Sequence, residues 1–119
     1  MTKESEVERK FVEICQGLGW PCIKLQKTSV SGIPDRMVLL GKGRVAYVEL
    51  KAEKGKLSKV QKHVIAKLKA QGYCCLVGSD PISLAYSLAF NFMELDLWLK
   101  SGPPEAIKRL PSDLLSGCW

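Results

Sequence analysis

The sequence predicts a single domain of the α/β class, and two patterns carry that prediction. Apolar residues recur at helical spacing over residues 4–17 and 58–70. Short apolar runs bounded by glycine and proline lie between and after these stretches, which is typical of β-strands. The chain has 119 residues, the length of one domain, so we expect residues 1–119 to fold as one unit.

The first half of the chain predicts one helix followed by three strands. The helix covers residues 4–17, and four apolar residues form the stripe that it buries: Val7, Phe11, Ile14 and Leu18. Strands follow at residues 22–27, 36–40 and 44–51. A loop rich in serine and glycine separates the first two strands, and Gly41-Lys42-Gly43 predicts a tight hairpin turn between the other two.

The second half predicts a helix, a strand and a helix. Residues 58–70 have the helical pattern, and the continuous apolar run 73–78 fits a buried strand. Asp80 as the cap and Pro81 at the first helical position begin a last helix, which we expect to reach about Lys100. This helix holds more apolar residues than one contact needs, which favours a homodimer. The alternative is that the helix simply covers the sheet.

Composition excludes several classes of protein. No apolar run approaches the ~18 residues that a membrane-spanning helix needs, and the N-terminus is too charged for a secretory signal. The five cysteines have no CxxC spacing, and His63 is the only histidine, so zinc sites and Ser-His-Asp catalysis are not expected. We expect a soluble, cytoplasmic protein with reduced cysteines.

The end of the third strand carries the sharpest chemical feature. Alternation places Tyr47, Glu49 and Lys51 on one face, with the last two about 6.6 Å apart along the strand. Asp35 begins the neighbouring strand, which can bring its carboxylate beside Glu49. Two carboxylates and a lysine predict a Mg²⁺ site with an ammonium that faces phosphate. The alternatives are a turn residue at position 35 and an ordinary surface ion pair.

Positive charge is concentrated next to this candidate site. The formal net charge is +6, and residues 51–70 alone hold seven lysines against one glutamate, which is also a net of +6. Lysines along a helix often form only its solvated face. Clustering beside an active site favours a polyanion instead, because lysine–phosphate contacts release counterions. We therefore expect a nucleic acid as the partner.

The motifs around this site resemble those of a known family. Gly32-Ile33-Pro34-Asp35, Glu49-Leu50-Lys51 and Gln61 follow one another as in the PD-(D/E)xK nucleases. Together with Leu57-Ser58-Lys59-Val60-Gln61, they are similar to the virus-type replication-repair nuclease (VRR-NUC) branch, in a stand-alone phage or bacterial form. The resemblance covers about residues 4–78 and leaves a C-terminal helical extension, 80–119, unmatched. It implies a restriction-endonuclease-like α-β-β-β-α-β core, a small mixed sheet flanked by helices, plus a C-terminal helix.

The resemblance also implies the chemistry of the site. Asp35 and Glu49, with the backbone carbonyl of Leu50 and a carboxylate of the first helix, would hold one or two Mg²⁺ or Mn²⁺ ions. Lys51 would orient the attacking water or stabilise the pentacovalent phosphate. Glu8 is the expected helix ligand, since it lies beside the buried stripe. First-turn acids that complement the helix dipole explain Glu4 and Glu6 better than Glu8. Glu4 lies one turn before Glu8 on the same side of the helix, so the alternative for Glu4 is a supporting group next to the site.

Gln61 has two possible roles in the sequence. The resemblance points its side chain into the active site, whereas Ser58 followed by Gln61 also predicts a capping box. We expect the active-site role and do not expect one rotamer to satisfy both roles fully. Further residues are expected to contact DNA phosphates: Lys24, Lys27, Ser31, Lys54, Lys56, Lys59 and Lys62.

The function implied is a Mg²⁺- or Mn²⁺-dependent DNA endonuclease acting in the cytoplasm of a bacterial or phage-infected cell, at the nucleoid. The resemblance implies a homodimer whose paired sites cut four-way (Holliday) junctions, as in stand-alone members of the family, so we expect selectivity for branched DNA. The alternatives are a catalytically silent nucleic-acid-binding module, a nuclease of linear or flapped ends, and an interaction subunit for an acidic protein. All three catalytic positions, Asp35, Glu49 and Lys51, are occupied, which argues against the silent module.

Overall fold

The structure, a computed structural model, describes residues 3–26 and 28–92, and within them the elements follow the predicted order. The elements are α1 Glu4–Leu18, β1 Cys22–Lys24, β2 Arg36–Gly41, β3 Arg44–Leu50, α2 Lys59–Ala70, β4 Cys74–Gly78 and α3 Pro81–Phe92. Lys27 and the part of the last helix predicted beyond residue 92 lie outside the described residues.

The first strand is shorter than predicted. It was expected to run over residues 22–27, but β1 ends at Lys24, which pairs with Arg36 at the start of β2. One more backbone bond follows, from the Leu25 N–H to the Asp35 carbonyl. The next position of the ladder falls on Pro34, and proline has no N–H to donate. The proline of the motif therefore ends the pairing.

The four strands form one mixed sheet in the order β1-β2-β3-β4. The pairs β1–β2 and β2–β3 are antiparallel, and β3–β4 is parallel because α2 crosses between them. Lys42 and Gly43 turn the β2–β3 hairpin with φ values of 54° and 74°. Positive φ at both central positions is the hairpin turn whose twist suits the strands.

Helices α1 and α3 cover one face of the sheet. The core there comprises Val7, Phe11 and Cys15 of α1, Leu84 and Leu88 of α3, and the inward residues Val38, Leu40, Ala46, Val48 and Leu50. Helix α2 packs on the opposite face, against β4, and buries Ile65. The described apolar residues of α3 that favoured a homodimer are largely used inside the chain, since Ala85, Leu88 and Ala89 are buried.

Other expectations from composition can be compared with the described residues. Cys15, Cys22, Cys74 and Cys75 are free thiols, and Cys118 lies outside the described residues. His63 is exposed on α2, as expected for a solvated helix residue. Among the described helices there is none with the length and apolar content to span a bilayer.

Candidate active site

The register of the β2–β3 hairpin places Asp35 and Glu49 side by side. Arg36 pairs with Val48, so Asp35, one residue before the strand, falls opposite Glu49. Both then lie on the face that carries α2, because successive residues of a strand point to opposite faces. The charge of Asp35 contributes to raising the pKa of Glu49, as expected for two neighbouring carboxyl groups. The predicted juxtaposition of these two acids is therefore present.

The loop before Asp35 is fixed by a close approach to α2. Gly32 has a φ of +85°, and a Cβ at this position would lie 2.8 Å from Val60 Cγ1 and 2.9 Å from the Val60 carbonyl oxygen. A side chain at this position would therefore force the loop away from the helix. Pro34 is fully buried beside it. Glycine and proline in the Gly-Ile-Pro-Asp motif thus position the carboxylate that follows them.

Glu49 is buried although it is ionisable, with a relative exposure of 1%. Its Oε2 accepts a hydrogen bond from Gln61 Nε2 at 3.3 Å and lies 3.5 Å from Lys51 Nζ. Its Oε1 is buried without a hydrogen-bond partner. Burial, followed by the charge of Asp35, raises the pKa of Glu49 to about 7, and Lys51 only partly offsets this rise.

A single rotamer of Gln61 performs both of its predicted roles. The side-chain Oε1 of Gln61 accepts a hydrogen bond from the backbone N–H of Ser58 at 2.9 Å. The backbone N–H of Gln61 donates to Ser58 Oγ at 3.1 Å, which completes the capping box. The Nε2 of the same amide donates to Glu49. Our expectation that the two roles exclude each other was wrong, because the amide oxygen serves the helix and the amide nitrogen serves the site.

Lys51 lies between two carboxylates at the end of β3. Its ammonium is 3.5 Å from Glu49 Oε2 and 4.0 Å from Glu4 Oε1, and its side chain is mostly buried. Of the α1 acids, it is Glu4 that approaches the ammonium, whereas Glu8, one turn later, does not pair with it. The sequence left two roles open for Glu4, the helix dipole and a supporting group next to the site, and the contact with the lysine fits the second.

Glu8 belongs to a separate ion-pair cluster on the other face of the sheet. Its Oε1 lies 2.5 Å from Arg36 Nη2 and 3.2 Å from Lys24 Nζ. Burial acts to raise the pKa of Glu8, but the hydrogen bonds from Arg36 and Lys24 outweigh it and lower the pKa. Arg36 lies two residues from the buried Val38, so its side chain is on the face of the sheet that α1 covers. Lys24 pairs with Arg36 in the sheet and lies on the same face.

Arg36 was not among the residues predicted from the sequence to be near the site. The sequence pattern could have identified it. Arg36 alternates with Val38 and Leu40 along the strand, so a charged residue stands on the same face as two apolar residues of the core. A charge at such a position needs a buried partner, and α1 supplies it with Glu8. Lys24, which we expected to contact phosphate, is engaged in this cluster.

The other predicted DNA contacts among the described residues are exposed. Ser31 lies in the loop before Asp35, Lys54 and Lys56 lie between β3 and α2, and Lys59 and Lys62 lie in the first turns of α2. Lys59 and Lys62 lie on the same helix as Gln61, which reaches the site. The structure thus brings Asp35, Glu49, Lys51 and Gln61 together and leaves Glu8 and Lys24 apart.

The donors at this site fit a hard divalent cation. Carboxylate and carbonyl oxygens are the ligands that Mg²⁺ and Mn²⁺ take, and Asp35, Glu49 and the backbone of Leu50 supply them at one end of the sheet. The unpartnered Oε1 of buried Glu49 is the kind of atom that a metal ion satisfies. Within residues 3–26 and 28–92, no group of three or more His, Cys, Asp or Glu side chains converges. The ligand role of Glu8 therefore stays a prediction.

Comparison with known proteins identifies the family. The sequence profile of the VRR-NUC domain matches residues 2–77, which include every residue of the site. The chain belongs to the VRR-NUC family. "Putative nuclease p44" of Acyrthosiphon pisum secondary endosymbiont phage 1 is 30% identical over 77 residues, which are 65% of this chain and 83% of that protein.

Structure comparison agrees with the VRR-NUC assignment. A solved VRR-NUC domain superposes with a TM-score of 0.64 at 28% identity, over 78% of this chain and 100% of that chain. The predicted restriction-endonuclease-like fold is therefore confirmed, with its small mixed sheet and flanking helices. This VRR-NUC protein is thus a nuclease by family and by fold.

Proposed function

We propose that this VRR-NUC protein is a DNA endonuclease that requires Mg²⁺ or Mn²⁺. The observation that carries the proposal is the environment of Glu49, a buried carboxylate next to Asp35 with one oxygen unpartnered. Burying such a group in its ionised form costs free energy unless hydrogen bonds and a cation satisfy both of its oxygens. A structural ion pair with Lys51 alone would use one oxygen and leave the other without a partner.

Asp35, Glu49 and the Leu50 carbonyl would hold the ion. Glu8 would join them only if its carboxylate exchanged Arg36 and Lys24 for the metal. A bound divalent cation would lower the pKa of a water molecule and neutralise charge that develops on the phosphate. The hydrogen bond from Gln61 fixes one oxygen of Glu49 and leaves Oε1 available as a ligand.

Lys51 would act on the phosphate itself. Its ammonium is held near Glu49 and Glu4 and its side chain is 17% exposed, so the charge is preorganised and only partly solvated. A fixed cation in such a position stabilises negative charge that grows in the transition state. The same ammonium can orient the attacking water.

The lysines around α2 would bind the DNA backbone. Lys54, Lys56, Lys59 and Lys62 are exposed, and no salt bridge engages them among the described residues. Free ammonium groups in one stretch attract phosphates without reading sequence. An interaction subunit for an acidic protein would use the same charges but would not need the buried acid pair.

We extend the proposal to branched DNA cut by a homodimer. Two copies related by a two-fold axis would present two sites to the opposed strands of a four-way junction. The resemblance to stand-alone family members supports this extension. Light scattering together with cleavage of junction and linear duplex tests it. A monomer that prefers linear ends would remove the extension and leave the nuclease proposal intact.

The nuclease proposal is tested with the variants Asp35→Ala and Glu49→Ala. Each should lower cleavage by about a thousandfold, because the metal supplies several kcal/mol of charge stabilisation. Chelation should abolish cleavage, and added Mg²⁺ or Mn²⁺ should restore it. Calorimetric titration should detect Mn²⁺ binding to the parent protein and none to either variant.

Asp80→Ala is a matched control, since Asp80 caps α3 and accepts hydrogen bonds from Ile82 and Ser83 in the same turn. It should keep Mn²⁺ binding and cleavage while lowering thermal stability slightly. Full activity in Asp35→Ala or Glu49→Ala would contradict the proposal. Binding of DNA without cleavage in any metal would instead support the silent module.

A further inference from the structure

One half of the sheet face beside the active site is apolar and partly exposed. We call it the open face and define it by six residues: Ile23, Met37, Leu39, Val45, Tyr47 and Tyr73. The register aligns Ile23, Met37 and Tyr47 in one row across β1, β2 and β3. The next row toward the end of β3 holds Asp35 and Glu49. The open face therefore borders the two carboxylates directly.

Among the described helices, none covers the open face. Helices α1 and α3 pack on the other side of the sheet, and α2 packs against β4. Ile23 and Tyr73 are 39% and 50% exposed, and the other four residues are only partly buried. A contiguous apolar surface that no described helix covers is available for contact with a partner.

The open face contains an aromatic pair. The rings of Tyr47 and Tyr73 meet edge to face, with centroids 6.1 Å apart and planes at 82°. Tyr73 is the more exposed of the two rings. Tyr47 lies two residues from Glu49 on the same face, which is about 6.6 Å along the strand. That distance is roughly twice the spacing between successive stacked bases in a DNA strand.

The charges around the open face select the class of partner. Gly32 contacts Val60, so the side of α2 that carries Val60 faces the loop between β1 and β2. Lys67 lies on that same side at i+7. The stretch 51–70, which includes α2, has a net charge equal to that of the whole chain. A polyanion with apolar, stackable groups complements such a surface.

A second copy of this chain is a poor fit for the same surface. A two-fold contact through the open face would bring two basic α2 helices together, and like charges at an interface are unfavourable. It would also cover the Asp35–Glu49 site of each copy and exclude the phosphate. An unpaired stretch of nucleic acid satisfies both the charge and the position.

We infer that the open face stacks one or two unpaired nucleobases of the DNA strand whose phosphate lies at Asp35 and Glu49. This inference rests on the proposed nuclease function but not on its extension to four-way junctions, whose arms are paired. It adds the substrate class, DNA with unpaired nucleotides next to the cleaved bond. Aromatic rings beside lysines are how proteins bind single strands without reading sequence. Fully paired duplex keeps its bases stacked inside and cannot use the surface.

The test uses binding without cleavage. DNA carrying 2-aminopurine, either in a short unpaired segment or within matched duplex, is titrated with the protein in EDTA. We expect the protein to quench the unpaired probe and to leave the paired one unchanged. Tyr73→Ser should weaken binding of the unpaired substrate by about five- to hundredfold, since stacking is worth about 1–3 kcal/mol per base. Tyr73→Phe keeps the ring and should bind normally.

Phe90→Ser is the matched control, because Phe90 is a similarly exposed aromatic residue on α3, on the other side of the sheet. It should leave the probe signal unchanged. Equal losses for paired and unpaired DNA in Tyr73→Ser, or no loss, would overturn the inference. Conversion of a dimer to a monomer by Tyr73→Ser would also overturn it, since the occupant would then be a second copy. The titration contains EDTA and therefore measures binding alone. A protein that binds the unpaired probe but cleaves no DNA when metal is added would contradict the proposed function and leave this inference intact.

Discussion

The amide of Gln61 hydrogen-bonds the carboxylate of Glu49 while it closes the first turn of α2. Nε2 donates to Glu49 Oε2 at 3.3 Å, and Oε1 accepts from the N–H of Ser58 at 2.9 Å. The rotamer is fixed from two directions, so the start of the helix determines where the buried carboxylate points. A structural device and a feature of the active site share one side chain.

Separating the two roles of Gln61 gives the first prediction. Gln61→Glu can keep the capping box, because glutamate serves at that position, but it places a second acid beside Glu49. We expect thermal stability at pH 5 to be nearly kept and metal-dependent cleavage to fall by about 10–100-fold, as for other residues that orient metal ligands.

Ser58→Ala is the complementary variant. It removes the hydroxyl acceptor of the cap and should cost about 1 kcal/mol of unfolding free energy. Cleavage should change much less than in Gln61→Glu. Melting temperatures and single-turnover rates of both variants check the prediction, and equal catalytic losses would contradict it.

The raised pKa of Glu49 predicts how the metal-free protein responds to pH. The folded state keeps a proton up to about pH 7 that the unfolded chain releases near 4.5. Stability from this group is therefore present below pH 4.5 and is lost as the pH rises toward 7, by a few kcal/mol in all. Denaturant midpoints at pH 5 and pH 8 measure it.

Glu49→Gln is the reference for this measurement, since the amide has no proton to lose. Its stability relative to the parent should increase from pH 5 to pH 8 in EDTA. Added Mg²⁺ should stabilise the parent more at pH 8 than at pH 5, because the ion competes with the proton. A constant difference between the two proteins would contradict the pKa shift.

The Glu8–Arg36 pair predicts the opposite dependence at lower pH. The pKa of Glu8 is lowered, so its stabilising contribution is present above about 4.5 and is lost as the pH falls through the folded value. Glu8→Gln should remove that acid sensitivity. Arg36→Met should destabilise the protein by about 2 kcal/mol at pH 7, because it removes a hydrogen bond between charged groups.

The exposed pair Arg9–Glu13 is the control for this prediction. Its substitution should change stability by only a few tenths of a kcal/mol. Urea unfolding between pH 3 and pH 7 compares the variants. If Glu8→Gln kept the acid sensitivity of the parent, another carboxylate would be responsible. Mn²⁺ binding to Glu8→Gln separately tests the expected ligand role of Glu8.

Lys51 and the exposed lysines should separate chemistry from affinity. Lys51→Ala should abolish turnover and leave DNA affinity close to that of the parent. Replacing Lys54, Lys56, Lys59 and Lys62 by alanine should weaken binding and reduce the salt slope by about one unit for each phosphate that is no longer bound. Fluorescence anisotropy over a range of salt concentrations measures both. An unchanged slope would show that these lysines do not face the substrate.

Much of this site was accessible from the sequence, for a physical reason. Strand alternation and a two-residue hairpin turn fix which residues face each other, so Asp35 and Glu49 could be paired in advance. The partners of Arg36 could not, because they depend on how α1 lies across the sheet. Nor could the open face, since periodicity does not tell which half of a sheet a crossover helix covers.

The local character of the β2–β3 hairpin has a consequence for the order of folding. Asp35 and Glu49 meet through a turn of two residues, and hairpins close in roughly 1–10 µs. Gln61 reaches Glu49 only after α2 has formed, and β4 must return from a crossover to pair with β3 in parallel. Non-local pairing of this kind is slow. We therefore expect the two acids to meet in the folding chain before Gln61 is in place, and a proton on Glu49 would relieve that early repulsion.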